Sequence, residues 1–265
     1  MDFEKYTAPV PDPGKYLERI GLEGIKLDGT LETLNKIMEA HLLNIPYENL
    51  DVWNEGRIPS LEVEALFDKM ILHRRGGWCH ELNGLFHAFL STIGYDVYSV
   101  GARVRHNGIC GNIGHHGVIC RIDGRKYYCD VGFGNTCLYQ PIALDGTPNA
   151  YGFYAEKLAE DGGSADIYYI MAPEDFPRED KILIKFTDAK LEPYDYVYLN
   201  YANAANEDEL FRRFIYISRI FPGSRKMLFI DKLTETRDGV TTLICQTSDR
   251  GEILKIAREH FGIEY

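Results

Sequence analysis

Residues 115–134 read His-His-Gly-Val-Ile-Cys-Arg-Ile-Asp-Gly-Arg-Lys-Tyr-Tyr-Cys-Asp-Val-Gly-Phe-Gly. Asp123-Gly124 at the centre of this stretch is the strongest short hairpin signal a sequence carries. A two-residue loop there pairs Ile122 with Arg125 and, counting outward, Gly117 with Asp130. Successive side chains alternate between sheet faces, so His115 lies diagonal to Asp130 on one face and His116 points to the other. A slip of one residue would reverse that choice. Gly117 opposite Asp130 leaves room for an imidazole to lean across. Strands are depleted in aspartate, so Asp130 calls for a reason of its own.

The hairpin sits within an array of short runs rich in Val, Ile, Tyr and Phe. Asp96–Arg105, His115–Ile122, Lys126–Phe133, Ile167–Ala172 and Lys181–Phe186 are broken by Gly, Asp-Gly and Pro, which predicts a small antiparallel barrel or sandwich. Upstream the period is helical. Leu31, Leu34, Ile37, Met38 and Leu42 form one stripe, closed by Pro46, and Leu61 to Ile71 form a second after Ser60 as N-cap. The sharpest stripe is Leu82, Leu85, Phe86, Phe89, Leu90 and Ile93, with Gly94 as its stop. Downstream, Leu210, Phe211, Phe214, Ile215 and Ser218 predict a helix. Two strand-like runs joined at Asp238-Gly239 follow, then an amphipathic stretch, Ile253–Phe261. The fold class is α+β, in three parts: helical over residues 1–95, a β-barrel over 96–195 and a small α/β unit over 196–265.

The third stripe begins at Gly76-Gly77-Trp78-Cys79, so Cys79 falls in the first turn of its helix. Unpaired N–H groups and the positive end of the helix dipole favour a thiolate there. The two glycines let the backbone turn sharply and leave access to the sulfur. The bland alternative is a small buried hydrophobe, the commonest state of a free cysteine. A nucleophilic cysteine wants a histidine base, and that histidine wants an orienting acid. His115 and Asp130 supply both from one hairpin. Cys110, His115, His116 and Cys120 carry no paired short-spaced cysteine motif, so no metal site is expected. Gly108, Gly111 and Gly114 mark a flexible loop; Arg212-Arg213 and Arg225-Lys226 read as solvated faces.

Composition bounds the partners. The 265 residues are 45% hydrophobic and 26% charged, with a net charge of −11. Such a chain has ample core material, and its charge opposes general attraction to nucleic acid or an anionic membrane. The amino terminus lacks the pattern of a signal peptide, and no apolar run approaches the ~20 residues that span a bilayer. A cytoplasmic protein is expected, with its six cysteines as free thiols. Oligomeric state is not legible.

At these residues the chain resembles the arylamine N-acetyltransferase family. The motifs are Tyr-Leu-Glu-Arg-Ile-Gly (16–21), Ile-Pro-Tyr-Glu-Asn-Leu (45–50), Arg-Gly-Gly-Trp-Cys-His-Glu-Leu-Asn (75–83) and Asp-Val-Gly-Phe-Gly (130–134), over roughly residues 15–145. The resemblance implies a helical bundle, a β-barrel and an α/β lid, with Cys79, His115 and Asp130 as nucleophile, base and orienting acid. It implies acetyl-CoA as co-substrate, no permanently bound cofactor, and an arylamine, hydrazine or N-hydroxyarylamine as acceptor. Phe133, Tyr47 and Val104 match acceptor-pocket positions, with Tyr47 standing where phenylalanine is common. Arg75 and Glu48 match a structural ion pair. Gly111, Asn112 and Ser224 are the CoA-contacting candidates. The likeness fades after about residue 190, and Asn135 stands where many relatives have glycine. A thiol hydrolase or amidase on the same three residues is the alternative reading, and a non-catalytic relative the third.

Overall fold

Capping residues set the first helices. Asp12 accepts a hydrogen bond from Lys15 N and Pro13 occupies the first turn of α1 (Pro13–Ile20), which ends at Gly21 in the left-handed conformation, φ 74°. Thr30 caps α2 (Leu31–Asn44) through Thr33 N. The computed structural model describes residues 3–106, 108–134, 138–158 and 165–265; Asn135 and Cys137 lie outside them. After β1 (Tyr47–Glu48) come α3 (Leu50–Trp53), α4 (Val63–Phe67) and α5 (Cys79–Thr92). The single helix predicted after Ser60 is not formed. Ser60 Oγ accepts from Glu62 N, α4 starts at Val63, and a π-turn over Asp68–Leu72 ends the segment. That wider turn brings Lys69 beneath α5, where three carboxylates wait. α5 itself follows its stripe: Leu82, Leu85, Phe86, Phe89 and Leu90 are fully buried, and Gly94 has φ 96°.

The strands that follow are β2 (Asp96–His106), β3 (Ile109–Cys110), β4 (His115–Ile122), β5 (Arg125–Cys129), β6 (Ile142–Ala143), β7 (Tyr154–Lys157), β8 (Ile167–Met171) and β9 (Ile182–Leu191). They form an antiparallel sheet in the order β6-β5-β4-β2-β9-β8-β7, with β3 paired to β2. The sheet curls into a nearly closed barrel. Asn149 ties its ends, donating from Nδ2 to the carbonyls of Leu138 and Gln140 and from N to Phe153 O. The hairpin register is the predicted one, Ile122 opposite Arg125, with Asp123 and Gly124 at φ 50° and 77°. The ladder stops at Val118–Cys129, one pair short of Asp130. The space over Gly117 is taken by the Tyr128 ring, 2.6 Å from where a Cβ would stand, rather than by an imidazole.

The last part comprises α6 (Pro193–Ala205), α7 (Leu210–Arg213), β10 (Tyr216–Phe221), β11 (Ser224–Phe229), β12 (Lys232–Arg237), β13 (Val240–Gln246) and α8 (Arg250–Phe261). The helix predicted through Ser218 stops at Arg213. Asn49 explains why: its Nδ2 donates to Phe211 O and Phe214 O, and its Oδ1 accepts from Tyr216 N. Ile215, just before β10, and Ile217 within it are then both fully buried. The sheet runs β1-β10-β11-β12-β13, so Tyr47 and Glu48 from the helical part complete it. Leu50, Ile215, Ile217, Leu228 and Leu233 pack with Ile253 and Phe261 of α8 in a second core. The larger core joins the helices to the barrel. Among the described residues no helix is long and apolar enough to cross a membrane.

Candidate active site

α5 begins at the residue that carries the thiol. Glu81 Oε2 accepts from Trp78 N at 3.1 Å and holds the first turn. Gly76 and Gly77 are absent from the positive-φ residues, so they do not serve a sharp turn. They serve a close approach. A Cβ on Gly76 would lie 2.1 Å from Pro46 O, and one on Gly77 2.8 Å from Glu81 Cβ. The segment thus lies against β1, with Glu48 N donating to Gly77 O at 2.9 Å.

Beneath that turn is a buried ion cluster. Lys69 Nζ sits 2.7 Å from Glu81 Oε1, 2.8 Å from Asp51 Oδ2 and 3.7 Å from Glu48 Oε1. Arg75 Nη2 is 2.8 Å from both Glu48 Oε1 and Asp51 Oδ1, so the pair implied by resemblance is part of a larger network. Burial pushes the Glu81 carboxyl up to about 7, against the pull of Lys69. Lys69→Met leaves Asp51 and Glu81 buried without their shared cation. It is expected to cost about 3–5 kcal/mol in urea unfolding, as breaking a buried pair does.

The barrel brings its two residues to the same place. His115 Nε2 is 2.6 Å from Asp130 Oδ2, both side chains buried. This leaves Nδ1 for Cys79, whose thiol is one of the groups acting on the imidazole. Burial alone would depress His115; the charge and hydrogen bond of Asp130, with Cys79, outweigh it and hold it up at about 10. Asp130 is itself held from four sides. Tyr128 Oη donates to Oδ2 at 3.0 Å, beside His115, while Asn83 Nδ2 at 2.8 Å and Gly132 N at 2.9 Å donate to Oδ1. Asn83 Oδ1 in turn accepts from Val131 N. Asn83 stands one helical turn beyond Cys79, and Tyr128 two strand residues before Asp130. Both spacings were visible in the sequence, although neither residue was singled out there.

These shifts set the pH dependence of stability. The folded value of His115 lies above its ordinary 6.5, so folding binds a proton. The stability it adds is complete below about 6.5 and is lost as pH rises through about 10. Burial has the opposite effect on His41 and His80, held near 3, and His87, near 4; their contribution is lost as pH falls below about 6.5. Urea midpoints are expected to peak near the ordinary histidine value, and Asp130→Asn is expected to flatten the alkaline limb.

His116 points away from the site as predicted. Its Nε2 meets Ser99 Oγ at 2.8 Å, its ring stacks on Tyr196, and burial holds it well below the usual histidine range. Phe133 packs its ring against His115 at 5.5 Å. Tyr47 is buried beside Tyr216 and Phe211, and burial followed by the nearby Cys79 raises its hydroxyl well above the usual range. Val104 lies on the sheet face that Ala102 shares with His115, at an exposed position. Gly111 and Asn112 occupy the exposed loop that leads to Gly114, whose carbonyl is 4.0 Å from Cys79 Sγ. Ser224 is elsewhere. It starts β11 and lines a cleft of about 490 Å³ with Glu39, Tyr139, Tyr151 and Arg225, and Cys79 is not in that lining. Burial pushes the other strand thiols up, Cys120 to about 12 and Cys129 well above the usual thiol range, which makes them inert. Cys110 is exposed and Cys245 half-buried. Among the described residues no group of three His, Cys, Asp or Glu is placed to hold a metal.

A thiol at a helix start, an imidazole and a fourfold-bonded carboxylate therefore meet at one point. The family model described as N-acetyltransferase matches residues 30–265. The chain belongs to the arylamine N-acetyltransferase family. It is 40% identical over 144 residues to the arylamine N-acetyltransferase of Mycolicibacterium smegmatis, covering 52% of each chain. It is 36% identical over 137 residues to arylamine N-acetyltransferase 1 of Homo sapiens, covering 49% of this chain and 46% of that one. The chain thus spans about half the length of these curated relatives. The solved arylamine N-acetyltransferase of Nocardia farcinica is similar over 98% of this chain and 93% of that one, with a TM-score of 0.85 and 28% identity. The family likeness in structure runs well past the half over which these sequences align.

Proposed function

We propose that this chain is an arylamine N-acetyltransferase that carries the acetyl group on Cys79. The observation that supports this most is the 2.6 Å His115–Asp130 contact beside the first turn of α5. A charged imidazole can neutralise a thiolate there. The Cys79 thiolate attacks the thioester carbonyl of acetyl-CoA, forming a new S–C bond. The first-turn N–H groups of α5, which a helix leaves without intrahelical partners, stabilise the oxyanion. The CoA sulfur leaves with the imidazolium proton. An arylamine, hydrazine or N-hydroxyarylamine then attacks the Cys79 thioester. His115 takes the amine proton, and the thiolate–imidazolium pair is restored. Atoms and charge balance over the two steps, and no resident cofactor is required.

Phe133, Tyr47 and the neighbouring Phe211 and Tyr216 offer flat apolar walls to an aromatic acceptor, with Val104 at the rim. The Tyr47 hydroxyl adds a polar group to that wall. Gly111 and Asn112, on the loop leading to Gly114, are proposed to meet the donor; Ser224 would do so only from its separate cleft. The test is CoA release from acetyl-CoA with and without an arylamine. This reading expects one equivalent per protein without amine and turnover with it. Equal turnover in both would make the chain a thiol hydrolase.

A further inference from the structure

Helix α6 packs three side chains, spaced at helical intervals, around the ends of α5 and β4. Tyr196 stacks on His116 with centroids 4.9 Å apart, and Asn200 Oδ1 accepts from Trp78 Nε1 at 2.9 Å. Asn203 Nδ2 donates to Gly114 O at 2.7 Å and lies 3.2 Å from His80 Nε2. Trp78 and His80 flank Cys79, and Gly114 precedes His115. The Gly114 carbonyl fixes which way the Asn203 amide points, since the flipped amide would set two acceptors 2.7 Å apart. Burial lowers His80 to about 3, against the pull of its own hydrogen bond to the Gly114 backbone.

The same Gly114 oxygen is the acceptor 4.0 Å from Cys79 Sγ. A bare carbonyl there competes with His115 for the thiol proton, and its partial negative charge opposes a thiolate. We propose that Asn203 is a positioning residue: by occupying the Gly114 carbonyl it directs the Cys79 thiol to His115. The inference rests on the reading of Cys79 as nucleophile and His115 as base. Other titratable groups that act with Cys79 include Tyr47 from β1 and Tyr128 from β5, and His80 follows it on α5. Of these, His80 also acts on the Gly114 backbone, beside the 2.7 Å bond that Asn203 donates to the Gly114 carbonyl.

The test is alkylation by iodoacetamide across pH, read peptide by peptide, with no acyl donor or amine present. In the wild type Cys79 is expected to react faster than the exposed Cys110; if it does not, the nucleophile reading itself fails. Asn203→Leu removes the donor and is expected to slow Cys79 alkylation at neutral pH about fivefold to tenfold, the worth of one hydrogen bond. The profile should also move to higher pH. Asn203→Asp keeps the shape and adds negative charge, so it should slow the reaction further; it carries the test if the leucine variant fails to fold. Asn200→Ala loosens α6 without touching Gly114 and is expected to lower the melting temperature while leaving the profile in place. Wild-type alkylation in the folded Asn203 variants, or equal slowing in Asn200→Ala, overturns the proposal.

Discussion

Cys79→Ala is expected to abolish arylamine acetylation, lowering turnover by about 10⁴-fold or more while the protein stays folded. Among the described residues no other cysteine is placed to substitute. Cys120 and Cys129 are buried with their thiols pushed up, and Cys110 lies exposed on β3, bonded to neither His115 nor Asp130. Cys79→Ser should be nearly as poor, because a hydroxyl does not ionise beside His115. Steady-state assay with thermal melting checks both. A serine variant retaining a tenth of wild-type turnover would remove the thiolate from the mechanism.

Asp130→Asn is expected to lower turnover by about 10³–10⁴-fold with little change in shape, as the loss of an orienting acid does in other triads. The geometry gives the reason. Asn83 Nδ2 and Gly132 N both donate to Oδ1, so that atom remains an oxygen in the variant. The new amide then takes the Oδ2 position and donates to His115 Nε2. His115 must become neutral with its proton on Nδ1, the nitrogen that would take the Cys79 proton. Tyr128 Oη, which donates to Oδ2 now, can turn to accept instead. The variant should acetylate at a rate insensitive to His115→Gln, because the base is already disabled. An Asp130→Asn protein within tenfold of wild type would show that the carboxylate does not set the tautomer.

The hairpin and the α5 helix were legible because local rules decide them. Asp123-Gly124 fixes a register by its turn, and the Leu82–Leu90 stripe fixes a helix face. The α7–β10 boundary was not legible. Its helical spacing through Ser218 is overruled by Asn49, a residue far away in sequence that caps the helix with its side chain. The segment after Ser60 fails for a similar reason, since three distant carboxylates draw Lys69 into a π-turn. At the site, alternation chose His115 over His116, but the space above Gly117 went to Tyr128. The network of Asn83, Tyr128 and Asn203 was hidden because polar contacts between separate elements leave no periodic trace. Lys69 and Arg75 beneath α5 are likewise engaged by Glu48, Asp51 and Glu81 from separate elements.

The most direct measurement is the mass of the Cys79 peptide after brief exposure to acetyl-CoA alone. One acetyl group is expected on that peptide, and on no other cysteine peptide, discharged when an arylamine is added. An unmodified Cys79 in folded protein, or an acetyl group that the amine leaves in place, would contradict it.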